Sequence, residues 1–288
     1  MIYMVHVATQ MRMDLLVYKS HILAEAVPYI RKYRSKIMVI KIGGEAFTEG
    51  YIAKILQDAI LLNELGIHPV IVHGGGKEIT KEMERRKLVP RFIKGLRVSD
   101  AATIKVLKKV MPRTGAEITK LVGLLGGVSK QMPGHKGILE VQKVSEELGY
   151  VGQVTWVNTK SVLRLLKKGI IPVITPLGFK DGYVYNINAD TAASSIAIAL
   201  KAEKITFMTN VDGVKNGMEL VPSLAIKEAR KLIRKKIITG GMIPKTEACI
   251  FAVKNSCKKA HLVNGTIEHA LLLEIFTDKG VGTQITKG

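Results

Sequence analysis

Short runs of apolar, largely β-branched residues ending in glycine recur at residues 37–44, 68–76, 170–178, 204–213 and 259–265. Runs of this length and composition predict strands buried on both faces. Between them the apolar period changes: Ile52, Ile55, Leu56, Ala59 and Ile60 form a single helical stripe. Strand, glycine turn and helix in repetition predict an α/β fold, a three-layer αβα sandwich around a mainly parallel central sheet. In such sheets the ligand lies beyond the carboxyl ends of the strands, where these glycines fall.

Two stretches depart from that rhythm. Residues 123–153 carry Gly123, Gly126, Gly127, Pro133, Gly134, Gly137, Gly149 and Gly152, which predicts hairpins or a mobile excursion over the sheet. Ahead of the first strand, Ile22, Leu23, Ala26, Val27 and Ile30 form a further helical stripe, with Ser20 as its expected cap and a bend at Pro28. That helix reads equally well as a packing helix or as an oligomer contact.

Composition narrows the class. At 288 residues and 47% hydrophobic side chains, the chain buries a real core. Cys249 and Cys257 both fall in sequence that reads as helical, with no His or Cys at zinc-site spacing, which fits a reduced, cytoplasmic setting and no resident metal. Residues 1–18 mix apolar side chains with His6, Gln10, Arg12 and Asp14, unlike a signal peptide. No apolar run approaches the ~20 residues of a membrane span.

The formal charge of +20 is the one oddity. From Lys227 to Lys259 ten Lys or Arg residues stand against Glu228 and Glu247, interleaved with Ile, Leu, Ala and Met at helical spacing. With 5% aromatics there is little to stack bases on, so the run reads as a solvated helix face and no nucleic-acid partner is expected.

The candidate chemistry sits at the turns. Lys41-Ile42-Gly43-Gly44 puts a lysine at the end of a buried strand and two glycines where backbone N–H groups can approach a phosphate. His73-Gly74-Gly75-Gly76 repeats the device after the next strand. Gly241-Met242-Ile243-Pro244-Lys245 reads as a helix start with a cation in its first turn, against the helix dipole, so an anion is expected nearby. Asp190, in Asn186-Ile187-Asn188-Ala189-Asp190-Thr191, either caps the next helix or holds the two lysine ammonium groups in place. There is no GxxxxGK[ST] loop and no protein-kinase HRD set.

In this order the segments VIKIGG, VHGGG, GLRVSDAAT (Gly95–Thr103), NINADT (Asn186–Thr191), GGMIPK (Gly240–Lys245) and EIFTDKGVGT (Glu274–Thr283) resemble the N-acetylglutamate kinases of the amino acid kinase family, over nearly all of residues 20–288. The resemblance implies ATP-dependent phosphorylation of the γ-carboxylate of N-acetyl-L-glutamate, with Mg2+ held mainly by the nucleotide phosphates. It implies that Lys41 and Lys245 stabilise the transferring phosphoryl group and that Asp190 organises them. Gly75, Gly76, Arg97 and Asn186 would bind acetylglutamate. Gly43, Gly44, Thr209, Asn210, Asp212, Gly213 and Gly241 would bind the nucleotide. ILAEAVPYIRKY is similar to the N-terminal helix of arginine-inhibited hexameric members, which implies L-arginine as an inhibitor, with His261 and Glu274 in its site, and a homo-oligomer, hexamer or dimer. The implied division is 1–36 as an extension with an oligomerisation helix, 37–202 as the acceptor-binding half and 203–288 as the ATP-binding half.

Three places depart from the family pattern. Lys77-Glu78 adds charge after the second glycine turn, MPRTGAEI puts Pro112 and Gly115 where they are expected to bend or break a helix, and LLGGVSKQMPGHKG replaces the usual lid turn. The competing readings are a carrier-protein-linked aminoadipate or glutamate kinase of the same family and a catalytically impaired arginine sensor.

Overall fold

The five glycine-terminated runs form the strands Ile37–Ile42, His68–His73, Ile171–Thr175, Lys204–Thr209 and Lys259–Asn264. They lie in an eight-stranded sheet of a computed structural model that describes residues 2–48, 50–278 and 280–288. From edge to edge the order is Ser129–Pro133, Ile171–Thr175, His68–His73, Ile37–Ile42, Lys204–Thr209, Lys259–Asn264, Thr283–Thr286 and Ser223–Ala225. Neighbours run parallel except where Thr283–Thr286 turns antiparallel to Lys259–Asn264. The chain leaves Ile37–Ile42 toward His68–His73 on one side and returns at Lys204–Thr209 on the other, so a crevice opens at their carboxyl ends.

Alternation along the strands divides the core between the two sheet faces. Val39, Val70, Val72, Ile205 and Phe207 pack with helices Ala189–Ala199 and Met242–Lys254. Met38, Ile40, Ile42, Ile71 and Val173 face the other way, onto helices Ile52–Glu64 and Ala101–Leu124. Both layers of helices are therefore present, and the expected αβα sandwich is the observed one.

Three local expectations are corrected. Ala101–Leu124 runs through Pro112 and Gly115 as one helix. The carbonyl of Lys108, left without an N–H by Pro112, belongs to an exposed residue, while the Pro112 carbonyl accepts from Gln131 Nε2 at 2.5 Å. Gly115 is where the helix meets the sheet: a Cβ there would lie 2.5 Å from Gln131 Nε2 and 3.0 Å from His73 Nε2. Of the two readings of residues 123–153, the hairpin is the one observed: they supply the edge strand Ser129–Pro133 and the antiparallel pair Leu139–Lys143 and Gly152–Val157. That pair joins Leu177–Lys180 and Tyr183–Asn186 in a second, four-stranded sheet.

The N-terminal helix spans Ile2–Tyr33 without interruption at Ser20 or Pro28. Ser20 lies inside it, its hydroxyl donating to the Leu16 and Val17 carbonyls, so it caps nothing. The last turns dock: Tyr33 is buried, and Tyr29 packs edge-on against Phe276 and donates to Asp278 Oδ1 at 2.6 Å. Met13, Leu15, Leu16, Tyr18, Ile22 and Leu23 are exposed. Finally, Cys249 is helical but Cys257 lies beyond the helix end, and burial pushes the Cys257 thiol up to about 12. No helix among the described residues is long and apolar enough to cross a membrane.

Candidate active site

Lys41 is the fifth residue of its strand and, with Val39, points to the face opposite Ile40 and Ile42, where it is only 5% exposed. It meets the first turn of helix Ala189–Ala199. Asn188, the residue before that helix, provides the cap, its Oδ1 accepting from the Asp190 N–H at 2.9 Å and the Thr191 N–H at 3.2 Å. Capping by Asn188 frees the Asp190 carboxylate, so of the two roles open to Asp190 capping is the one it does not take. Asp190 Oδ1 lies 2.8 Å from Lys41 Nζ and Oδ2 lies 3.6 Å from Lys245 Nζ.

Lys245 enters from the first turn of helix Met242–Lys254, so Asp190 is the anion that its unfavourable position called for. Burial works against the charges of both Lys41 and Asp190, but each outweighs that cost for the other. The Lys41 pKa is held above its ordinary value, and that of Asp190 is held below. One carboxylate thus fixes two ammonium groups, with the Glu45 carboxylate adding to the field at Lys41.

Lys41 and Asp190 open into a cleft of about 260 Å³ lined also by Gly44, Gly74, Gly75, Gly76, Arg97 and Asn186, while Lys245 adjoins it through Asp190 without lining it. The two glycine turns touch, the Gly74 N–H donating to the Ile42 carbonyl at 2.8 Å. At Gly75 a Cβ would lie 2.6 Å from Met111 Sδ, so a larger residue before helix Gly76–Arg85 would require the Met111 side chain to move aside. Arg97 is carried on the hairpin Phe92–Ile93 and Leu96–Arg97, whose turn uses Gly95 at φ 80. Its guanidinium stacks 4.7 Å from the Phe92 ring and donates from Nη2 to the Gly76 carbonyl at 3.1 Å and to Thr80 Oγ1 at 2.8 Å. Asn186 Nδ2 donates to Ser99 Oγ at 3.1 Å, joining the NINADT and GLRVSD segments.

Of the three family departures, Met111 of MPRTGAEI lines this cleft and Lys77 the groove beside it, whereas no residue of 124–137 lines either. Glu45 lines the cleft, and its carboxylate covers Gly43, so that a Cβ at Gly43 would clash with both carboxylate oxygens. Glu78 Oε2 is buried beside Gly44. Beyond Gly44, Gly76 and Arg97 the cleft continues into an open groove lined by Lys77, Thr80, Lys81 and Phe92.

A second cavity of about 400 Å³ is lined by Asn210, Asp212, Gly213, Ile237, Ile238, Thr239 and Met242. Asn264 Nδ2 and Lys215 Nζ both reach Asp212, at 2.9 and 2.7 Å. Thr209 is buried at the strand end beneath this cavity, its carbonyl accepting from the Gly265 N–H, and Gly241 precedes helix Met242–Lys254. A third cavity lies under the N-terminal helix, among Tyr29, Lys32, Lys204, His261, Glu274 and Asp278. His261 and Glu274 are hydrogen-bonded there at 2.5 Å. Lys279, within EIFTDKGVGT, lies outside the described residues.

The residues singled out in the sequence therefore gather at three places. Lys41, Gly44, Gly75, Gly76, Arg97, Asn186 and Asp190 line the first cavity; Asn210, Asp212 and Gly213 line the second; His261 and Glu274 line the third. Thr209, Gly43 and Gly241 adjoin cavities without lining them. Sequence reading passed over Asn188, whose Asx-type cap was legible two residues ahead of Asp190, and Ile237, Ile238 and Thr239, which carry no polar signature that marks them out.

With the geometry in place, likeness to known proteins narrows the class. The model of the amino acid kinase family matches residues 36–264. The chain belongs to that family. It is 43% identical to the acetylglutamate kinase of Caldanaerobacter subterraneus over 93% of each chain, and 43% identical to that of Halothermothrix orenii over 96% of this chain and 99% of the relative. Among solved structures it resembles smu.665 from Streptococcus mutans (TM-score 0.75, 29% identity, covering 88% of this chain and 99% of that one). The N-acetylglutamate synthase of Neisseria gonorrhoeae shares the fold at TM-score 0.84 and 24% identity, covering 93% of this chain and 63% of that one.

Proposed function

We propose that this chain transfers the γ-phosphoryl group of MgATP to the γ-carboxylate of N-acetyl-L-glutamate, the acetylglutamate kinase reaction of arginine biosynthesis. The observation that carries this reading is Asp190 fixed between Lys41 and Lys245 at the wall of a glycine-lined cleft that also holds Arg97. A glutamate-type carboxylate, which titrates near pH ~4.3 in water, is already ionised at neutral pH, so no general base is required. The obstacle is repulsion between an anionic nucleophile and an anionic phosphate. Two preorganised ammonium groups and the glycine N–H groups answer it by charge and position.

In this reading Arg97 pairs with the acceptor's α-carboxylate, and Asn186, Gly75 and Gly76 hold the rest of it. Gly43 and Gly44 cradle the phosphates. The base and ribose occupy the second cavity, so 37–202 binds the acceptor and 203–288 the nucleotide. Magnesium arrives with the nucleotide; among the described residues no group of three or more His, Cys, Asp or Glu side chains could hold a metal ion. The third cavity, walled by His261 and Glu274 and with the Asp278 carboxylate able to meet a guanidinium, is a site for L-arginine, and the exposed apolar side chains of the N-terminal helix are a contact for further copies of the chain.

Coupled ADP release with MgATP tests this, using N-acetyl-L-glutamate, L-glutamate, L-aspartate and carbamate in parallel, each with and without L-arginine. Turnover with acetylglutamate alone is expected, suppressed by arginine. Turnover only with a carrier-linked glutamate or aminoadipate would redirect attention to the open groove at Lys77 and Lys81. Arginine binding without any turnover would indicate a sensor.

A further inference from the structure

Lys227, Arg230, Lys231, Arg234, Lys235 and Lys236 stand on or just after helix Ile226–Arg234, and nearly all are exposed. The single carboxylate among them, Glu228, is turned back to the helix start, its Oε2 accepting from the Ala225 N–H at 2.7 Å. Several cations elsewhere are offset: Arg85 and Arg86 by Glu82, Lys143 by Glu146, Lys258 by Glu203. None of these six makes an ion pair with a described residue. The helix dipole accounts for Arg234 and Lys235 at the carboxyl end, but Lys227, second in the helix, stands where a cation is disfavoured.

Position supplies what local stability does not. The chain passes directly from Lys236 into Ile237, Ile238 and Thr239, which wall the second cavity. We propose that this uncompensated basic helix is a capture surface for the polyphosphate of the incoming nucleotide, drawing it to the second cavity before it docks. The proposal rests on reading that cavity as the nucleotide pocket. At physiological ionic strength charges act over roughly 8 Å, so an array of cations at the mouth of a site raises the encounter rate more than it strengthens the bound state. A nucleic-acid occupant is disfavoured, because the helix and the three residues after it carry no aromatic ring for a base to stack on.

Stopped-flow association of a fluorescent methylanthraniloyl-ATP with the full chain, across ionic strength, tests this. One variant combines Lys227→Gln, Arg230→Gln, Lys231→Gln and Arg234→Gln; glutamine keeps helix propensity. A control removes the same charge from the helix Thr159–Leu166 and the residues after it through Lys160→Gln, Arg164→Gln, Lys167→Gln and Lys168→Gln. At low salt the first variant should associate about 10-fold more slowly, converging with the unmodified protein at high salt, with dissociation and kcat unchanged and the control unaffected. An unchanged association rate, or equal slowing in both variants, overturns the proposal. So does loss of single-stranded RNA retention in the first variant without any change in nucleotide association. No ATP-displaceable signal from the unmodified protein would remove the nucleotide-pocket reading and this proposal with it.

Discussion

Two buried carboxylates, Asp190 and Glu274, are each surrounded by basic groups, yet their surroundings differ in what they leave over. Glu274 is saturated: Oε2 accepts from the Val281 N–H at 2.9 Å and the Gly282 N–H at 3.1 Å, and Oε1 meets His261. Burial pushes His261 below its usual pKa against the pull of Glu274. Lys204 donates to the Glu274 backbone carbonyl at 3.2 Å and lies over the Tyr33 ring, and burial lowers its pKa to about 8. Asp190, by contrast, holds two ammonium groups with one carboxylate beside an open cleft. A carboxylate whose oxygens are taken up by neighbouring loops locks those loops together, whereas one that anchors two ammonium groups beside a cleft holds those cations in place for an anion that comes and goes.

Breaking the two clusters should give different signatures. Lys41→Ala and Lys245→Ala should each lower kcat by roughly 10²–10³-fold with little change in fold by circular dichroism, while Glu274→Gln should leave kcat nearly intact and lower thermal stability. Near-normal turnover in either lysine variant would remove that lysine from the site. Asp190→Ala strands two cations in a buried place, and chemical denaturation should register a loss of about 3–5 kcal/mol, against about 1–3 kcal/mol for Glu274→Gln. Arg97→Ala should raise KM for acetylglutamate on the order of 10–100-fold with a smaller change in kcat; an unchanged KM places the α-carboxylate elsewhere.

The remaining effect, seen only as pH changes, concerns a buried histidine at the end of the strand neighbouring that of Lys41. His73 is fully buried against Thr175 Oγ1, and burial lowers its pKa from 6.5 to about 4 despite its contact with the Gly74 carbonyl. The unfolded chain therefore takes up the proton first. The contribution of His73 to stability is complete above about pH 6.5 and fades as pH falls toward 4, by up to about 3 kcal/mol. Melting temperature should fall as pH is lowered through that window, and His73→Gln should flatten the slope; an unchanged slope assigns the acid sensitivity to other groups.

What the sequence disclosed and what it withheld follow one physical division. Buried parallel strands announce themselves, because every residue from Ile37 to Ile42 must be compatible with a core, and the lysine among them stands out for that reason. Glycine turns and an Asx cap are local chemistry and equally legible. Pro112 and Gly115 misled because helix Ala101–Leu124 is held by tertiary contacts, with Gln131 bonded to the Pro112 carbonyl and Gly115 fitted over His73. The stretch 123–153 looked irregular because its strands have one exposed face and pair with Leu177–Lys180, far along the chain. The wall of the second cavity was silent, since an apolar surface that receives a ligand has the same composition as one that receives a helix.

The most direct measurement is trapping of the product with hydroxylamine, which converts an acyl phosphate to a hydroxamate that mass spectrometry identifies. With MgATP and N-acetyl-L-glutamate, the unmodified chain should yield the γ-hydroxamate in step with ADP, and Lys41→Ala should yield almost none. ADP release without hydroxamate would contradict transfer to a carboxylate, and undiminished hydroxamate from Lys41→Ala would contradict the role given to the Lys41, Asp190 and Lys245 cluster.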